Sequence, residues 1–242
     1  MKYSFTFIFS LVVLQAMPQG AFSGKVLSVS GEPLEGASVF IPNSAIGTTT
    51  NKNGAFILKN IPTEKFSLAI SFVGYEVFST TITREVMRNP FTATLNLKTS
   101  ELESVVIKGK DKEGWDKWGA IFTEAFIGTS SFASNCNIIN KEILQFIFIP
   151  QDNELRAFAS EPIIVENISL GYHLTIDLVD FRYNLGKKEV EYQVYTLFKE
   201  MEGTEKRMRQ WKNNRFKAYN FSLMHFMRSI YSNNFGNEGF EL

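Results

Sequence analysis

The stretches GEPLEGASVFIP at residues 31–42 and GTTTNKNGAF at residues 47–56 decide how the first part of the chain folds. Pro33 presets φ for a turn bracketed by Gly31 and Gly36, and Pro42 stops a strand over 37–41. A short β-branched run over 47–50 then reaches Asn53-Gly54, a signal for a tight type I′ hairpin. Working outward, a strand over 22–28 precedes this unit. Another over 55–58 follows it and meets a stop at Ile61-Pro62. Phe66, Leu68, Ile70 and Phe72 alternate along 66–73, the period of a half-buried strand, until Gly74-Tyr75 interrupts it. Strands over 76–83 and 91–97 complete about seven, spaced by turns as in an all-β sandwich.

Four of these motifs, GEPLEGASVFIP, GTTTNKNGAF, IP at 61–62 and SFVGY at 71–75, resemble the carboxypeptidase regulatory-like domain in the same order, over residues 22–98. The resemblance implies a transthyretin-like (Ig-like), seven-stranded β-sandwich. It also implies an accessory role, because the domain does not cut peptides in metallocarboxypeptidases and recurs at the N-terminus of TonB-dependent outer-membrane receptors. Asn51 stands where the family often has Asp, and either side chain can brace the turn. LESVVIKG at 102–109 is similar to the L-x-E-V-V-V segment that leads into the plug of such receptors, or is one further strand. The remaining chain is too short for a complete transmembrane barrel.

The first 21 residues have the layout of a secretory signal peptide: Lys2, an apolar run over 5–14, and a small-residue region where cleavage after Ala16, or alternatively Ala21, is expected. That run falls short of the ~20 residues a membrane-spanning helix needs. With 44% hydrophobic residues and 25 basic against 25 acidic, the chain is globular and carries no global attraction for nucleic acid or anionic lipid. Cys136 is the single cysteine, which excludes an internal disulfide. Its neighbours Asn135, Asn137, Ile138 and Ile139 favour a buried structural thiol.

Residues 99–114 read as a charged, glycine-bearing linker, and 115–242 as an α+β region with an antiparallel sheet and C-terminal helices. Trp115, Trp118, Phe122 and Phe126 share one helix face that Gly128 stops, and this face is expected to dock on the strands C-terminal to it. Strands are expected over 144–149, 154–159, 172–183 and 189–198. In the third, Leu174, Ile176 and Leu178 point inward, and His173, Thr175 and Asp177 outward. From Thr204 the pattern is helical, with an apolar stripe of Tyr219, Leu223, Phe226, Met227 and Ile230. Upstream lies a basic stretch from Lys206 to Lys217. Within it Arg207, Arg209, Lys212 and Arg215 form a candidate contact for phosphorylated lipid or another acidic partner, a solvated helix face being the alternative. WDKWGAIFTEAFIG (115–128), ENISLGY (166–172) and HFMRSIY (225–231) resemble the second region that accompanies this sandwich in envelope proteins with no assigned activity. The same resemblance implies a C-terminus truncated after EGFEL (238–242).

A zinc carboxypeptidase needs an H-x-x-E pair and a distant third histidine, to hold the metal and leave one position open. The chain has two histidines, with Ile176 three residues after His173 and Arg228 three after His225. There is no G-x-S-x-G elbow and no phosphate-binding G-x-x-x-x-G-K-[ST] loop. The expectation is therefore an exported, non-enzymatic binding or assembly component of the bacterial envelope, with no catalytic residue, metal or cofactor. It would be periplasmic or peripheral to the outer membrane, and its partner an envelope protein, glycan or peptide rather than nucleic acid. Two rivals stand beside it: a fragment of, or accessory to, a TonB-dependent uptake system, and a hydrolase with Cys136 as nucleophile.

Overall fold

The computed structural model describes residues 20–62, 64–98 and 114–240, so the apolar run at 5–14 and the segment 102–109 lie outside the described residues. The first region contains β1 (Gly20–Ser28), β2 (Ser38–Phe40), β3 (Gly47–Thr49), β4 (Ala55–Ile61), β5 (Lys65–Ser71), β6 (Phe78–Thr83) and β7 (Phe91–Leu95). They form two sheets, β4-β1-β7 and β3-β2-β5-β6, with β1 antiparallel to β4 and parallel to β7. The alternation read from the sequence is what closes them on one another. Phe22, Val26, Phe56 and Leu58 from one sheet meet Val39, Phe66, Leu68 and Ile70 from the other in a single core. Each such side chain contributes about 1.5–3 kcal/mol by leaving water.

The Asn53-Gly54 turn forms, but not as a type I′ hairpin. Asn53 stays out of positive φ and Gly54 alone takes it, at 68°. Asn51 braces the turn, its side-chain oxygen accepting from the backbone N–H groups of Asn53 and Ala55 at 2.9 and 3.0 Å. β3 pairs with β2 and β4 with β1, so the turn carries the chain from one sheet to the other instead of joining two partners in a ladder. Unanticipated by the pattern, a one-turn helix α1 (Arg84–Met87) connects β6 to β7, ending just before Asn89-Pro90.

The second region opens with α2 (Gly114–Ile127), stopped by Gly128 at φ 94° as the aromatic stripe predicts. Six strands come next: β8 (Cys136–Ile138), β9 (Leu144–Ile149), β10 (Glu154–Ala159), β11 (Ile163–Asn167), β12 (Tyr172–Asn184) and β13 (Glu189–Glu200). Their order is β8-β11-β12-β10-β9, with β13 along the other edge of β12. On one face α2 lays Trp118 against Phe148 (5.2 Å between ring centroids) and Phe122 against Phe146 and Phe181 (5.6 and 4.9 Å). Helices α3 (Glu205–Tyr219) and α4 (Leu223–Tyr231) follow the sheet, and a 3-10 turn over Gly236–Glu238 comes after them.

Part of the other face of this sheet meets the first region rather than a helix. Ala69 and Ser71 stand on the side of β5 opposite the sandwich core, and both are buried. Backbone also crosses the seam: the Asn43 N–H donates to the Thr196 carbonyl at 2.7 Å, and the Phe198 N–H to Ser44 at 2.9 Å. Asp177 consequently faces a neighbour and not solvent, correcting the expectation that it points outward. A bulge between Leu178 and Asp180 leaves Val179 exposed and shifts the inward phase, so that Phe181 enters the core.

Candidate functional site

The seam between the regions gathers the one buried carboxylate among the described residues. The Ser71 hydroxyl donates to the Asp177 carboxylate at 2.5 Å. Burial pushes the Asp177 carboxyl up from its ordinary value, while the Ser71 hydrogen bond and the Lys98 ammonium pull the other way. Lys98 itself donates to the Ala159 carbonyl at 3.2 Å. The cavity beside them, walled by Phe72, Tyr75 and Pro162, measures about 40 Å³. That is room for a water and not for a substrate.

Cys136 is half-buried on β8, its thiol donating to the Phe132 carbonyl at 3.6 Å beside a shallow groove lined by Trp115, Thr123 and Glu124. Burial pushes the thiol up, away from the thiolate a nucleophile requires. His173 lies 3.4 Å from Glu166, its cross-strand neighbour. His225 Nε2 lies 3.1 Å from Glu238, while its Nδ1 accepts from the Phe221 N–H at 3.1 Å. This wiring suits a neutral imidazole donating from Nε2. Each histidine is thus held by its own carboxylate, and none of these hydrogen bonds joins one to Cys136. Among the described residues, no three of His, Cys, Asp and Glu are placed to hold a metal ion.

The basic helix α3 begins at Thr204, whose hydroxyl caps the Arg207 N–H at 3.4 Å. Its inner face is clamped to the loop 168–171. The buried Trp211 indole donates to Ile168 at 2.9 Å, and Asn214 to Ser169 at 2.8 Å. Gly171, at φ 69°, leaves that indole its place, for a Cβ there would collide with the ring. Arg215 belongs to this clamp. It donates to the Leu170 and Gly171 carbonyls at 2.7 and 3.0 Å, pairs with Glu200 at 2.9 Å, and lies 3.8 Å over the Tyr172 ring. The other three candidate residues stay on the outside: Arg209 pairs with Glu205 one turn away at 3.0 Å, Arg207 rests over Trp211 at 5.4 Å, and Lys212 is exposed. Reading the run as one basic face missed this division. The signal was available in Trp211 and Arg215, four apart on one side of the helix.

Helix α4 is oriented against the usual rule. Leu223, Met224, Met227, Ile230 and Tyr231 are 50% to 95% exposed, whereas His225 and Ser229 are 6% and 2% exposed. Its inner side closes over Phe235 and Phe240, whose rings lie 5.9 and 5.3 Å from Phe226. The sequence reading ran Tyr219, Leu223, Phe226, Met227 and Ile230 together as one stripe. Instead, Phe221 at φ 59° and the Ser222 cap break the helix at 220–222 and give α4 a new direction.

The first region is thus a β-sandwich of two sheets, and the comparison with protein families agrees with that architecture. Residues 22–107 match the CarboxypepD_reg-like domain family, and the chain therefore carries a CarboxypepD_reg-like domain there. No curated protein matches the chain.

Proposed function

We propose that this protein is a non-catalytic, exported binding or assembly component of the bacterial cell envelope, its first region a seven-stranded, transthyretin-like member of the CarboxypepD_reg-like family. The observation that carries the binding role is the outward apolar side of α4, since a soluble chain normally turns such side chains inward. The signal-peptide layout of residues 1–21 supports export. β1 starts at Gly20 and pairs through Ala21 with Lys59, so cleavage after Ala16 keeps the whole strand, whereas cleavage after Ala21 removes two paired residues. The buried Asp177, bonded to Ser71, and the buried His225, bonded to the more exposed Glu238, act as structural ties.

The test is fractionation together with crosslinking from Met227→Cys. The expected result is mature protein in the envelope fraction with a crosslinked neighbour. Mature protein confined to the cytoplasm overturns the proposal.

A further inference from the structure

We infer that α4, together with the basic helix before it, docks in the headgroup layer of an anionic phospholipid surface; this rests on the exported binding role proposed above. The outward residues of α4 fall at i, i+1, i+4, i+7 and i+8 from Leu223, an arc of about 120° at 100° per residue. Arg228 lies at the margin of that arc. Its polar residues His225 and Ser229 are spent inward, so the exposed arc is continuous hydrocarbon and aromatic surface rather than a mixed face.

Charge selects the occupant. Over 205–231, beyond the inward Arg215, the basic residues are Lys206, Arg207, Arg209, Lys212, Lys217 and Arg228, against Glu205 as the single acid. This local excess stands in a chain whose formal net charge is zero. A protein partner recognised through an apolar helix face needs no such excess, whereas an interfacial helix on anionic lipid uses both features at once. Met208, Lys212 and Phe216 repeat the pairing on α3, where Met208 and Phe216 are also exposed. Nine residues of helix span about 13 Å, against about 30 Å of bilayer hydrocarbon, so α4 lies in the interface and does not cross it. Among the described residues no helix is long and apolar enough to cross a membrane.

Co-sedimentation of the full chain with vesicles tests this, with all variants made in the same background so that residues 5–14 contribute equally. Wild type is expected to bind vesicles containing phosphatidylglycerol at least ten-fold more tightly than phosphatidylcholine alone, and to weaken as salt rises. Leu223→Asp with Met227→Asp is expected to lose ten-fold or more while keeping the wild-type circular dichroism, both positions being exposed. Lys212→Glu with Lys217→Glu is expected to lose the preference for phosphatidylglycerol, at about five-fold per residue. Equal binding to the two vesicles, or wild-type binding by the Asp pair, overturns the inference. A chain that ignores both vesicles yet crosslinks to an envelope protein through Met227→Cys overturns the lipid inference and leaves the binding role standing.

Discussion

In the first region each sheet buries one face against the other, and the turns that steer the strands are written locally in glycine, proline and asparagine. In the second region one sheet is covered by α2 on one face, and on the other the first region meets part of it around Asp177. Its terminal helix then turns apolar side chains to the outside. The difference teaches where information sits: the turns of the first region are written locally, whereas the seam is made by residues a hundred positions apart, as Ser71 and Asp177 are.

The largest effect that can break this comparison comes from the cores. Phe122→Ala empties the ring cluster with Phe126, Phe146 and Phe181 and is expected to cost about 3–5 kcal/mol. Leu68→Ala in the sandwich is expected to cost about 2–5 kcal/mol. Trp115, Trp118 and Trp211 all lie in the second region, so tryptophan fluorescence reports that region alone. If the seam couples the two, Leu68→Ala shifts the fluorescence midpoint in denaturant as far as that of circular dichroism. An unmoved fluorescence midpoint splits the molecule into two independent folding units.

Next comes the seam itself. Asp177→Ala leaves the Ser71 hydroxyl without its acceptor and is expected to cost about 1–3 kcal/mol. Asp177→Asn sharpens the reading through pH. Burial raises the carboxyl in the folded chain, so the folded state holds this proton more tightly than the unfolded one. Its contribution to stability is full below the unfolded value and is lost as pH rises through the folded value. Denaturation at acid and neutral pH should therefore show Asp177→Asn gaining on wild type as pH rises across that window.

Smaller effects come last. Gly54→Ala places a Cβ against the Val26 carbonyl oxygen at a positive φ, and is expected to cost more than about 1 kcal/mol in thermal unfolding. Tyr195→Phe removes the 2.8 Å hydrogen bond from its hydroxyl to Ser79, an exposed link across the seam, for about 0.5 kcal/mol. A fluorescence midpoint shifted further than this would mean that the seam depends on that one bond.

Much of the sandwich was legible because its strands announce themselves: Phe66, Leu68 and Ile70 carry the period, and Pro42 and Ile61-Pro62 carry the stops. The hairpin geometry at Asn53-Gly54 was misread, since the dipeptide reports a turn but not which sheet each flank joins. β8 and β11 escaped notice, being three and five residues long with Pro162 just before the second. The inward Asp177 was illegible in principle, for its cover comes from β5. The candidate site was half legible: the basic run of α3 was seen, but not the inward turn of Arg215, which depends on the carbonyls of the loop 168–171. The outward side of α4 escaped because a periodic stripe shows that a face is apolar without showing which way it looks.

The two backbone hydrogen bonds from Asn43 and to Ser44 have a consequence for how copies of the chain meet. β13 is an outer strand, and such a strand is a ready template for a neighbour's backbone, the first step toward aggregation. The sandwich lends its own loop to occupy that template around Leu197, and Glu189 and Glu191 guard the stretch beyond with charge. Copies of the chain are thereby kept from zipping, sheet to sheet, into one another.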